Sequence, residues 1–170
     1  MSIPEKYLLD ANVFIQAKRN YYPFDICPGY WDALCWHQKN GVILSIDKIW
    51  DELERGGDEI FTWAKDSFGK GSFVDSSISS EMYSSMVEWV QNQAHFKTAA
   101  KAEFAAVADG WLVALAKTED YILVTQEVFD PLIQKKVPIP NVCEAFGVRY
   151  ISTYDLLRNL GVVLNWHSPN

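Results

Sequence analysis

Three acidic side chains stand where carboxylates can do chemistry. Asp10 directly follows the apolar run Tyr7, Leu8 and Leu9, and Glu127, with Thr125 before it, follows a second apolar run from Tyr121 to Val124. In an open parallel α/β sheet, ligands bind in the crevice at the carboxyl ends of the strands, so both acids fall where sites form. The bland alternative for Asp10 is a loop aspartate that caps the next turn. The third acid, Asp109, lies in the alanine-rich stretch from Lys101 to Ala116. Read as one helix, that stretch puts Phe104, Ala108, Trp111 and Leu115 on one side, and Asp109 among Ala102, Ala105, Val113 and Ala116 on the other. A mid-helix carboxylate between two apolar faces needs a hydrogen-bond partner, a cation or a raised pKa. Carboxylate oxygens suit Mg²⁺ or Mn²⁺, and Mg²⁺ takes one or two carboxylates directly while keeping waters.

The elements that must hold these acids alternate between strand and helix. Short apolar runs predict buried strands at Tyr7–Leu9, Val42–Leu44, Tyr121–Val124 and Val148–Ile151, with a short extended piece at Phe73–Val74. Asn12 can cap a helix begun by Val13, Phe14 and Ile15, and Ser45 can cap one whose apolar face is Ile46, Ile49, Trp50 and Leu53. Glu52 borders that face while Glu54 points to solvent, and by itself Glu52 reads as one more helix-surface acid. Further helical patterns cover Gly29 to Lys39, Asp58 to Phe68, Glu81 to Gln93, Pro138 to Phe146, and a last segment capped by Ser152 or Thr153. This alternation predicts a three-layer α/β/α sandwich with a central, mainly parallel sheet of four to five strands.

Composition narrows the class. The chain has 170 residues, 49% hydrophobic and 14% aromatic, which fits one globular domain spanning 1–170 with a helical elaboration at about 58–93. No run approaches the roughly 18 apolar residues of a membrane span, so no membrane partner and a soluble, cytoplasmic location are expected. Cys27, Cys35 and Cys143, with His37, His95 and His167 scattered, give neither a disulfide framework nor a zinc pattern. The net charge of −7 opposes nonspecific coating of nucleic acid but not a metal-dependent nuclease. The basic pairs Lys18-Arg19 and Lys135-Lys136 read as solvated surface.

Four stretches, Leu8-Leu-Asp-Ala-Asn-Val-Phe-Ile15, Glu52-Leu-Glu-Arg-Gly56, Ala108-Asp-Gly-Trp-Leu-Val-Ala-Leu-Ala116 and Leu123-Val-Thr-Gln-Glu-Val-Phe129, resemble in order the four signatures of PIN domains, the metal-dependent ribonucleases that include VapC-type toxins of toxin–antitoxin pairs. The resemblance implies an acidic cluster of Asp10, Glu52, Asp109 and Glu127 holding Mg²⁺ or Mn²⁺. Asp10, Asp109 and Glu127 would be the metal ligands, supported by Asn12 and Thr125. It also implies hydrolysis of RNA, an antitoxin protein as partner, and a homodimer. The family more often has Asp where Glu127 stands, which leaves Asp130 as the nearby substitute. The 58–93 segment would be a lid or a partner-binding surface.

Two other classes fit parts of the pattern. A phosphate-transfer module also places an Asp at a strand end, but Asn12 stands where the phosphatases of that kind carry a second Asp. A catalytically silent PIN-like module would act through protein contacts alone.

Overall fold

The computed structural model describes residues 5–168. Its centre is a five-stranded sheet in the order β3-β2-β1-β4-β5, formed by Tyr7–Leu9 (β1), Ile43–Ile46 (β2), Phe73–Val74 (β3), Ile122–Val124 (β4) and Tyr150–Ile151 (β5). Every pairing is parallel, with Leu8 opposite Leu44 on one side and Leu123 on the other. Strands β1, β2 and β4 are buried along their whole length, which is why β1 and β4 read as unbroken apolar runs and β2 as one interrupted only by Ser45.

Helices cover both faces, giving the three-layer α/β/α sandwich. They are Ala11–Gln16 (α1), Pro28–Lys39 (α2), Asp47–Gly56 (α3), Glu59–Trp63 (α4), Ser80–Asn92 (α5), Thr98–Ala106 (α6), Asp109–Glu119 (α7), Ile139–Phe146 (α8) and Thr153–Asn159 (α9). Asp58 caps α4 by accepting the Ile60 N–H, and Ser152 caps α9 by accepting the Asp155 N–H. Gly57 and Gly147 end α3 and α8 in the left-handed region. The 58–93 segment is built into the sandwich: it supplies the edge strand β3, and Ile60, Phe68, Met86 and Val90 are buried in the common core. Phe14 meets Phe68 edge-on there, with ring centroids 5.6 Å apart.

Three local expectations are corrected. Asn12 is not a cap: α1 starts at Ala11, and Asp10 occupies the N-cap position. Ser45 is a strand residue, fully buried, whose hydroxyl donates to the Leu9 carbonyl at 2.8 Å and so ties β2 to β1. The stretch from Lys101 to Ala116 is two helices, because Val107 is extended (φ −108°, ψ 174°) and breaks it. At that joint Gly110 is packed so closely that a Cβ would lie 2.9 Å from the Tyr83 ring and 3.1 Å from Phe104. Asp109 is therefore the first residue of α7 and not a mid-helix charge.

Candidate active site

The strand order places β1 beside both β2 and β4, so the chain leaves β1 toward one half of the sheet and later fills the other half from β4. The crevice between β1 and β4 at their carboxyl ends is the topological switch point, where open α/β sheets bind ligands. Asp10 follows β1 there, and Thr125 and Glu127 follow β4.

Hydrogen bonds fix the two strand-end acids relative to one another. The Thr125 hydroxyl donates to Oδ2 of Asp10 at 3.0 Å, and the Glu127 N–H donates to the same hydroxyl at 3.1 Å. Asp10 is 2% exposed. Burial, and then the charges of Asp109 and Glu127, push its carboxyl up to about 7, although the bonds from Thr125 and the Ala11 N–H pull the other way. Asp109, at the start of α7, is raised to about 6, by burial first and then by Glu127, with Glu52 adding to the repulsion. Glu52 is half-buried on α3, and burial raises its carboxyl too. The four acids thus share one electrostatic neighbourhood.

They do not form a ready-made cage. Among the described residues no three His, Cys, Asp or Glu side chains converge as metal ligands. Both carboxylate oxygens of Glu127 are engaged: one pairs with the Lys136 ammonium, and the other accepts the Ile139 N–H at the start of α8, at 2.8 Å. Lys136, expected to be plain solvated surface, instead faces the cluster. Burial pulls its pKa down, but the hydrogen bond to Glu127 and the charges of Glu127, Asp109 and Asp10 outweigh that and raise it. Sequence reasoning missed this residue; its only signal was a second basic residue closely following a strand-end acid. The other basic pair is partly tied down elsewhere, with Lys18 bonded to Glu59 at 2.9 Å.

The remaining candidates separate. Asn12 makes no hydrogen bond to Asp10 among the described residues, and it sits in the first turn of α1 beside the site. Asp130 belongs to a loop lock: its N–H donates to Asn141, its carbonyl accepts from Asn141, and its carboxylate accepts the Leu132 N–H at 2.9 Å. That commitment leaves Glu127, not Asp130, beside Asp10. Asn141, buried under this loop, had no sequence signal beyond its place in a proline-flanked helix.

A cleft of about 540 Å³ opens beside the acids, lined by Lys48, Glu52, Arg55, Asp109, Trp111 and Lys136 together with the α6–α7 joint. Trp111 in its lining is stacked on Tyr83, with centroids 3.9 Å apart and planes 9° apart. The Lys48 ammonium lies 5.3 Å from the Trp111 ring centre. Carboxylates, cations and an aromatic ring along one cleft suit a phosphate-bearing ligand approaching a metal.

The donor set fits a hard divalent cation in its chemistry. Two buried or half-buried aspartates with raised pKa values are short of positive charge, and one or two direct carboxylates with waters satisfy Mg²⁺ or Mn²⁺. The family described as a domain of unknown function (DUF4411) matches residues 7–164, and the chain belongs to it. No curated protein and no solved structure matches the chain. The fold itself is consistent with a PIN-like architecture. Among the described residues no helix is long and apolar enough to cross a membrane.

Proposed function

We propose that this protein is a PIN-like endoribonuclease that hydrolyses RNA phosphodiester bonds with Mg²⁺ or Mn²⁺. The observation that carries the reading is the gathering of Asp10, Asp109 and Glu127 about the switch point, where burial first and then neighbouring carboxylate charge push both aspartates up. Asp10 and Asp109 would hold the cation, with Glu127 and Glu52 acting through water or orienting the nucleophile. Bound there, the cation would lower the pKa of a water and offset charge on the leaving oxygen. Thr125 keeps the Asp10 carboxylate in place. Lys48 and Arg55, on the cleft wall, would receive the phosphates on either side of the scissile bond.

The four ordered sequence stretches support a toxin of a toxin–antitoxin pair, and with it a homodimer. An antitoxin segment of basic, apolar character would complement the net charge of −7 and the exposed Val128 and Leu132 near the site. The test is cleavage of a mixed panel of structured and unstructured RNA by the purified protein in Mg²⁺, Mn²⁺ and EDTA, with Asp109→Asn alongside. Metal-dependent cleavage that disappears in the variant is the expected result. A folded protein that cleaves nothing with either metal would leave the silent binding module as the better reading.

A further inference from the structure

Glu127 is held in a way that matters for loading the site. Its carboxylate makes two bonds of different kinds: one oxygen takes the backbone N–H of Ile139 at 2.8 Å, and the other takes the Lys136 ammonium. The first bond belongs to the framework, since Ile139 opens α8 and cannot move without it. The second belongs to a side chain on a flexible stem, 45% exposed, against 13% for Glu127. If the ammonium leaves, the carboxylate stays aimed and a single oxygen is freed. The freed oxygen is the one bonded to Lys136, and Lys136 lines the cleft together with Asp109 and Glu52.

Resting on the metal-dependent reading, we infer that Lys136 is an internal counter-ion that competes with the divalent cation for Glu127, so that loading the site requires the Lys136–Glu127 pair to open. Three features of the structure agree. The acids do not converge as a set of three ligands, and Glu127 has both carboxylate oxygens engaged, one of them by Lys136. The Thr125 hydroxyl that holds Asp10 also accepts the backbone N–H of Glu127, so the main chain of Glu127 is anchored beside Asp10 while one of its carboxylate oxygens is held only by the Lys136 side chain. A single positive charge on that oxygen also limits the repulsion among neighbouring carboxylates while the cation is absent. The device lets the protein fold with its acids assembled and sets a threshold of metal concentration for activity.

Calorimetric titration of Mn²⁺ into the full chain at neutral pH and low salt tests this without reference to activity. Lys136→Met should bind Mn²⁺ at least about tenfold more tightly than wild type, since a unit charge a few ångströms from the ion is removed. Lys136→Gln provides the same reading should the Met variant fold poorly, and Lys136→Arg should stay close to wild type. Lys135→Met, at the exposed neighbour, should change the affinity by less than about threefold. Equal affinities for wild type and both neutral variants at position 136, or equal tightening by Lys135→Met, would overturn the inference while leaving the nuclease reading intact. Absence of Mn²⁺ binding in every protein would overturn both, and Lys136 would then be a permanent structural partner of Glu127.

Discussion

The hydroxyl of Thr125 donates to the Asp10 carboxylate across 115 residues of sequence, joining the end of β4 to the end of β1. The same oxygen accepts the Glu127 N–H, so one small side chain sets the spacing of two candidate ligands. Thr125→Val keeps the shape but leaves the buried Asp10 oxygen and the Glu127 N–H without this partner. A loss of about 1–3 kcal/mol of stability follows from the unpaired groups. Because the lost bond favours the ionised form, the Asp10 carboxyl rises further above about 7. The acid limb of the rate–pH profile should therefore move to higher pH in Thr125→Val and stay in place in Thr125→Ser. Melting curves and a pH series of initial rates on both variants check this.

The raised carboxyls also give the metal-free protein a signed pH dependence. Asp10 titrates at about 7 and Asp109 at about 6 in the folded chain, against 3.8 for a free aspartate. The folded state therefore binds more protons than the unfolded state between those values. The stabilisation is complete below the unfolded pKa and is lost as pH rises through the folded ones. In EDTA, the melting temperature should fall between pH 5 and pH 8, with the two acids behaving as a coupled pair. Asp10→Asn should abolish most of that slope, stabilise the protein at pH 8 by a few kcal/mol, and abolish cleavage. Mn²⁺ should reverse the loss at pH 8 and do little at pH 5, where its ligands are protonated. Melts at the two pH values, with and without metal, decide the point; a flat wild-type profile in EDTA would contradict it.

Glu52 and Glu54 lie two residues apart on α3 and should behave oppositely. Glu52 is half-buried on the cleft wall and contributes to the repulsion on Asp109, whereas Glu54 is exposed. Glu52→Gln should lower the cleavage rate at least about tenfold, equivalent to ~1.4 kcal/mol of transition-state stabilisation. Its melting temperature without metal should be unchanged or higher. Glu54→Gln should alter neither quantity. Matched rate and melting measurements on the pair separate a role in the site from a general charge effect.

The strand-end acids were legible because buried parallel strands leave an unmistakable apolar run, and whatever follows it lies at the sheet's carboxyl edge. Asp10, Thr125 and Glu127 needed no more than that. Asp109 was legible as a carboxylate in need of a partner, but not as the start of a helix. The alanine-rich run is helical throughout in pattern, and nothing in its residue types marks the extended backbone of Val107 where it breaks. Ser45 looked like a cap because serine favours caps, but the Leu9 carbonyl across the sheet claimed its hydroxyl. Lys136 was legible only as half of a basic pair, not as the partner of Glu127. It lies in an irregular segment with no periodicity, and its pairing with Glu127 depends on how that segment folds back to α8.

Gly110 connects that helix break to the site, and its substitution is a test of the packing. Alanine there would place a methyl 2.9 Å from the Tyr83 ring and 3.1 Å from Phe104. Tyr83 cannot swing away freely, because its hydroxyl donates to the Ala105 carbonyl at 2.9 Å and its ring is stacked on Trp111. Helix propensity alone favours alanine over glycine by about 1 kcal/mol. Overpacking of this kind costs about 1–3 kcal/mol, so the net effect should be destabilising. The strain falls next to Asp109 and under Trp111, so the cleavage rate should drop more than the stability loss alone would produce at a temperature where the variant stays folded. With seven tryptophans in the chain, the disturbed Trp111 stack should show in the emission difference spectrum of Gly110→Ala against wild type. A variant that melts at or above the wild-type temperature with an unchanged emission spectrum would show that the rings yield easily, and that the α6–α7 joint is held by Val107 and not by the close approach at Gly110.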